Sequence, residues 1–207
     1  MPADTGALRV LLATWGSHGD VLPVLALARE FQRRGHEVLF FGNPFFEPHF
    51  AQAGIGFVPV GTVEQYHGFF GQARQSTTKA TAARAAVAQA LAGLTASYHA
   101  AMRRHVVPGR TLAVGSSILF AARLLSETDR VPCAPAHIAP SVFRSSLAPA
   151  RLDPRKDWLR RHSPVFVHRL GWWAKDRFYN ERYYNGPFNR VRAGVGLPPV
   201  RLLFKSG

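Results

Sequence analysis

The stretch from Leu8 to Gly35 fixes most of what this chain can become. An apolar run, Leu8, Val10, Leu11, Leu12 and Ala13, breaks off at Thr14-Trp15, and a glycine-bounded turn, Gly16-Ser17-His18-Gly19-Asp20, follows. Val21, Val24, Ala28 and Phe31 then recur at spacings of three and four, the period of a helix laid on a sheet. Arg33 and Arg34 suit a helix C-terminus, where the backbone dipole favours cations, and Gly35 suits the left-handed residue beyond it. Strand, turn and helix in that order predict a doubly wound α/β domain, whose ligands sit beyond the carboxyl ends of the strands. His18 and Asp20 stand at that edge, so the turn is the first candidate for a site.

The rest of the chain continues the alternation. Glu37 to Phe41 reads as a buried second strand, Phe45 to Ala53 as a short helix, and Phe57 to Val60 as a third strand. Gly61 to Gly71 carries Tyr66, His67, Phe69 and Phe70 in an irregular context; exposed aromatics there suit either an apolar ligand site or packing on the domain. Proline-free and alanine-rich, 72 to 107 predicts one long or broken helix with a core stripe at Val87, Leu91, Leu94, Tyr98, Met102 and His105. Thr111 to Gly115 is a fourth strand, with Ser116-Ser117 expected to cap a helix from Ile118 to Glu127. Val131 to Ile138 is a fifth, with Cys133 expected to be a small buried hydrophobe. The pattern dissolves from Ser145 to Pro164. It returns as an aromatic-rich helical region, Val165 to Val195, with Leu170, Ala174 and Phe178 in an i, i+4 row. The fold class is therefore α/β, a Rossmann-like doubly wound parallel sheet with right-handed crossovers.

Composition narrows the setting. A chain of 207 residues suits one well-buried domain, and a single cysteine precludes an intrachain disulfide framework. The start, Met1-Pro2-Ala3-Asp4, lacks the basic and apolar regions of a secretory leader, and no apolar run approaches a membrane span. A cytoplasmic protein is the expectation. The formal charge of +14 comes almost wholly from arginine; it suits nucleic acid, an anionic membrane surface or anionic ligands, or reflects a codon bias. No basic run is continuous enough for a nucleic-acid arm.

Several chemistries fall away. The first turn has only Gly16 and Gly19, and strand two ends in Gly42-Asn43 without an acid, which excludes the dinucleotide fingerprint. No Gly-Lys-Ser/Thr follows the first strand, and no Gly-x-Ser-x-Gly elbow occurs. His18, His36, His49 and His67 are scattered and unsupported by a second cysteine, so no metal is expected. What remains is a carboxylate and an imidazole at the mouth of a sheet, suited to taking a proton from a hydroxyl. Asp20 reads equally as a helix cap and as a base. His18, between glycines, belongs to the surface or to the site.

The turn and its flanks, Gly16-Ser17-His18-Gly19-Asp20-Val21-Leu22-Pro23 running into Leu25-Ala26-Leu27-Ala28-Arg29-Glu30 and Arg34-Gly35-His36-Glu37-Val38, resemble the opening of family 1/family 28-type glycosyltransferases of the GT-B fold. Val114-Gly115-Ser116 and Ala139-Pro140-Ser141 resemble the bacterial branch acting on lipids, sterols and natural products, including rhamnosyltransferase- and sterol glucosyltransferase-like enzymes. The resemblance implies a hexosyltransferase-type enzyme whose N-terminal half, present here, binds the acceptor, and whose absent C-terminal half binds the nucleotide sugar; no other cofactor is implied. It makes Asp20 the general base, with His18 in reserve. It lines the acceptor pocket with Trp15, Gly16, Ser17, Tyr66, Phe69, Phe70, Ser116, His137 and Ser141. It implies residues 1–144 as an acceptor-binding core, 145–197 as a helical extension, and 198–207 as the start of a crossover to a donor domain. No two glycines are adjacent anywhere, so the family's glycine-rich diphosphate loop is missing and the chain alone is expected not to turn over. The implied partners are a hydroxylated small-molecule or lipid acceptor and a donor-binding domain or subunit, with nucleic acid excluded. Basic residues interleaved with Trp158, Trp172 and Trp173 leave two readings of 151–182: a helix closing the domain, or one lying on an anionic membrane surface.

Overall fold

The computed structural model describes residues 6–75, 80–116, 118–139, 145, 147, 158, 162–201 and 203. Among them, five strands form one parallel sheet in the order β3-β2-β1-β4-β5: β1 (Arg9–Ala13), β2 (Glu37–Gly42), β3 (Gly56–Pro59), β4 (Thr111–Ser116) and β5 (Cys133–Ala136). Chain order reverses between β1 and β4, so a crevice opens where their carboxyl ends diverge. The paired register Ala13↔Gly115 brings Trp15-Gly16 and Ser116 to that crevice.

The unbroken apolar run Val10–Ala13 of β1 follows from cover on both faces. Val10 and Leu12 pack with Val21, Val24 and Ala28 of α1 (His18–Arg33) and with Phe46 and Phe50. Phe50 lies in α2 (Glu47–Gln52), which follows a 3₁₀ turn at Pro44–Phe46. On the other face, Leu11 and Ala13 pack with Tyr98 and Met102 of α4 (Ala80–Arg103) and with Ala122 and Leu125 of α5 (Ala121–Asp129). Arg34 closes α1 and Gly35 takes φ +85°, as its sequence predicts.

Four expectations need correction. The aromatic stretch after Gly61 is helical: α3 runs Val63–Gln75, begun by Thr62, whose Oγ accepts from the Gln65 N–H at 3.2 Å while the Gln65 carboxamide accepts from the Thr62 N–H at 3.0 Å. Tyr66 there is buried, in keeping with the packed alternative for this stretch. Helix α5 starts at Ala121 after Phe120, because Ser116 completes β4 and Leu119 turns back onto the Ser116 carbonyl at 3.2 Å; Ser117 lies outside the described residues. Cys133 is exposed, since β5 is the last strand of the sheet and pairs with β4 alone. On α4 the fully buried positions are Ala88, Ala92, Thr95, Tyr98 and Met102, so the expected stripe is rotated, with Val87, Leu91 and Leu94 only partly covered.

The C-terminal region comprises α6 (Val165–Lys175), a π-helical stretch at Asp176–Asn185, and α7 (Gly186–Gly194). The π-helical stretch buries a polar pair, Asn180 donating to Asp176 at 2.8 Å. Residues 198–201 and 203 are fastened largely by side chains. Arg192 donates to the Pro198 carbonyl at 2.8 Å, Asn189 exchanges two hydrogen bonds with Val200, Asn185 donates to the Arg201 carbonyl, and Arg123 donates to that of Leu203 at 3.1 Å. The buried Arg192 guanidinium also grips both oxygens of Glu127, at 2.9 and 2.7 Å. The row Leu170, Ala174, Phe178 does not pack inward: Leu170 and Phe178 are exposed.

Candidate active site

The turn after β1 is built around a glycine that no larger residue can replace without movement. Gly16 takes φ +152°, and a Cβ there would lie 2.3 Å from Asp20 Oδ2. The carboxylate thus folds back over Gly16 and closes a capping box on α1. Ser17 is the N-cap; its backbone N–H donates to Asp20 Oδ2 at 2.6 Å, and its hydroxyl does so at 2.9 Å. Both bonds fall on Oδ2, and among the described residues Oδ1 has no partner. Asp20 is therefore not the N-cap but the third residue of the helix, half-buried, where the positive end of the backbone dipole favours an anion. Pro23 adds to the local polarity, since it lacks the N–H that would serve the Gly19 carbonyl.

Beside this turn lies a hollow of about 450 Å³ lined by Trp15, Tyr66, Phe69, Asn43, Gly61, Gln65 and Gly68, and by Ala90, Gly93, Leu94 and Ser97 of α4. Trp15 forms its aromatic wall, edge-on to Phe69 at 4.2 Å and stacked on Phe70 at 5.5 Å. No ionised side chain lines it, so it suits an uncharged, largely apolar guest. Tyr66 connects hollow and turn: burial first, then the negative charge of Asp20, raises its phenol above the ordinary range. A larger hollow, about 650 Å³, opens between the π-helical stretch and Pro199–Arg201. It shares no residue with the strand ends, and its Arg177, Glu181 and Asn189 already bond to one another or to the backbone.

The sequence-predicted residues divide accordingly. Trp15, Tyr66 and Phe69 line the smaller hollow, and Phe70 packs behind Trp15 and Tyr66. Gly16, Ser17 and Asp20 form the turn. His18 is exposed and leans away onto the 3₁₀ turn and α2, with ring centroids 5.1 Å from Phe46 and 5.7 Å from His49. Ser116 ends β4 with a buried hydroxyl that lacks a partner; His137 is exposed beyond β5. Ser141 lies outside the described residues. The lining from α4 was missed, although Ala90, Gly93, Leu94 and Ser97 follow a helical i, i+3, i+4, i+7 spacing.

Two substitutions probe this arrangement. Gly16→Ala should push Asp20 off Ser17 and cost about 1–2 kcal/mol of stability in urea titration, from lost capping and backbone strain. Gly93→Phe should fill the hollow without harming the helix, because no atom lies within 4 Å of a Cβ at that position. Thermal stability should hold or rise slightly, since glycine is the weaker helix former.

Comparison with known proteins identifies the family of the fold. Residues 10–143 match the glycosyltransferase family 28 N-terminal domain. Glycosyltransferase GtfC of Amycolatopsis orientalis is 30% identical over 202 residues, covering 97% of this chain and 46% of that protein. The vancomycin aglycone glucosyltransferase of the same organism is 27% identical, with 97% and 46% covered. The crystal structure of CalG4, the calicheamicin glycosyltransferase, shares the fold at a TM-score of 0.65 and 18% identity, covering 97% of this chain and 46% of that one. The chain thus spans about half the length of these relatives. With most of its sheet, the capping-box turn and the strand ends inside the matched segment, the chain belongs to glycosyltransferase family 28, in the N-terminal domain of that family.

Proposed function

We propose that this chain is the acceptor-binding half of an inverting glycosyltransferase, which moves a sugar from a nucleotide-sugar donor to a hydroxyl of a natural-product acceptor. The observation that carries the reading is the Asp20 carboxylate, with Oδ2 fixed by Ser17 and Oδ1 without a partner among the described residues, on the turn that directly follows Trp15 of the hollow's lining. The acceptor's apolar body would rest against Trp15, Tyr66 and Phe69, with its hydroxyl towards Oδ1. Asp20 takes the hydroxyl proton as the acceptor oxygen attacks the anomeric carbon, and the nucleoside diphosphate leaves from the opposite face with inversion. Stabilising the departing diphosphate needs a basic clamp or a helix N-terminus, which the reading assigns to a donor-binding half. Natural-product acceptors are favoured over lipids and sterols because the vancomycin aglycone and calicheamicin enzymes are among the similar proteins. VinC, a structural relative in fold, is in complex with dTDP, which makes thymidine diphosphate sugars the first donors to try.

The test is sugar transfer by this chain with and without a separately produced donor half from a close relative, across a panel of hydroxylated polycyclic acceptors. Transfer in the mixture alone, abolished by Asp20→Asn, is the expected result. Transfer retained by Asp20→Asn would move the base to another residue, His18 first. Binding of acceptor with silence in every mixture would leave a binding module without catalysis. Gly93→Phe supplies a second arm: acceptor affinity should fall about tenfold or more as the hollow fills.

A further inference from the structure

Helix α6 has no buried residue, although it carries two valines, a phenylalanine, a leucine and two tryptophans. Phe166 is 67%, Leu170 58% and Trp173 57% exposed, and their spacing of four and three places them on one stripe. Phe178 and Trp158, at 65% and 70%, extend the exposed apolar surface on either side in sequence. Before Leu147, the large exposed hydrophobics among the described residues are only Leu22 and Ile118, both less exposed than the three on this stripe. The exposure is therefore concentrated in one region, and a contiguous apolar face of this kind marks a surface that something else covers.

Charge says what covers it. From Trp158 to Phe178 the sequence holds Arg160, Arg161, Arg169, Lys175 and Arg177 against one acid, Asp176, which is buried and accepts from Asn180. Arg169 is exposed and makes no ion pair among the described residues, and Lys175 lies over the Trp172 ring at 5.1 Å. A protein partner would have to supply acids to meet these cations at the rim of the contact, whereas an anionic bilayer offers them everywhere. Tryptophan and phenylalanine beside arginine and lysine is the composition of a helix that lies in the headgroup region. No described helix is long and apolar enough to cross a membrane.

We propose that the α6 face docks on an anionic membrane surface, with Phe166, Leu170 and Trp173 entering the headgroup–acyl boundary and Arg169 and Lys175 meeting lipid phosphates. The inference concerns a surface apart from the strand-end hollow, and vesicle binding that disappears when a donor half is added would overturn it and give the face to that half. The proposal is tested by co-sedimentation of the chain with vesicles of phosphatidylglycerol and phosphatidylcholine, and with vesicles of phosphatidylcholine alone. Binding to the anionic vesicles only, weakened by salt, is expected. Phe166→Ser with Trp173→Ser should reduce it about tenfold or more, and Arg169→Gln about fivefold. All three side chains are exposed, so circular dichroism should be unchanged. Absence of binding to anionic vesicles, or equal binding by wild type and the double variant, overturns the proposal. A dimer in sedimentation velocity that the double variant dissolves, without vesicle binding, overturns it too and gives the face to a second copy of the chain.

Discussion

Asp20→Asn is expected to lower sugar transfer in the reconstituted mixture by about 10²–10⁴-fold, the range that a positioned general base supplies. That corresponds to about 3–5 kcal/mol of barrier. The substitution isolates proton transfer from architecture. An asparagine oxygen can still accept the Ser17 N–H that now reaches Oδ2 at 2.6 Å, so α1 keeps much of its cap. Stability should therefore change by no more than about 1 kcal/mol. A large fall in transfer with an unchanged urea midpoint assigns the loss to chemistry. A fall in both together would mean that the carboxylate serves the helix and the base lies elsewhere. His18→Ala, made alongside, should have a small effect, since its ring packs against Phe46 and His49.

Glu127→Ala should be the most destabilising polar substitution among those considered, at about 3 kcal/mol. It leaves the Arg192 side chain, 5% exposed, with the Pro198 carbonyl as its remaining partner. The figure sits at the low end for a broken buried pair because the Glu127 side chain is 31% exposed. For a chain of this size the melting temperature should fall by about 6–12 °C. The pH dependence has a definite sign. The Arg192 guanidinium, aided by Arg123 and opposed by burial, holds the Glu127 carboxyl below its ordinary 4.5. A depressed folded-state value contributes stability that is complete above the unfolded value and lost as pH falls through the folded one. The gap between wild type and Glu127→Ala should thus be widest near neutrality and narrow below pH 4.5. A gap that stays constant into acid would show that packing, rather than the ion pair, carries the effect.

What the sequence disclosed depended on whether a physical cause leaves a periodic trace. Val10 to Ala13 was legible because the part of a strand covered on both faces must be apolar throughout, and Gly35 because a left-handed residue ends α1. The helix Val63–Gln75 was not, since Gly68, Gly71 and consecutive Phe69-Phe70 blur the helical period that Tyr66 and Phe70 still obey. Ser116 misled because hydroxyl residues end strands as readily as they begin helices, and here the strand claimed it. In the site, the turn of Gly16, Ser17 and Asp20 was readable, but whether Asp20 was N-cap was not: the capping box needs the Ser17–Asp20 spacing and a fold-back over Gly16 together. The α4 wall of the hollow escaped because alanine, glycine and serine make space, and space leaves no hydrophobic signal. From α6 into the π-helical stretch, the row of Leu170, Ala174 and Phe178 told where a face lies and nothing about what it faces.

The bond between Ser17 and Asp20 gives the proposed reaction a mechanical side. One carboxylate group anchors the first turn of a sixteen-residue helix and, in the proposed reaction, would also accept the acceptor's proton. When that proton arrives, the anion at the positive end of the helix is neutralised and the anchor slackens; when it departs, the anchor tightens again. If Asp20 is the base of the proposed reaction, the hold on the first turn of α1 would weaken and recover with its charge state once in each catalytic cycle.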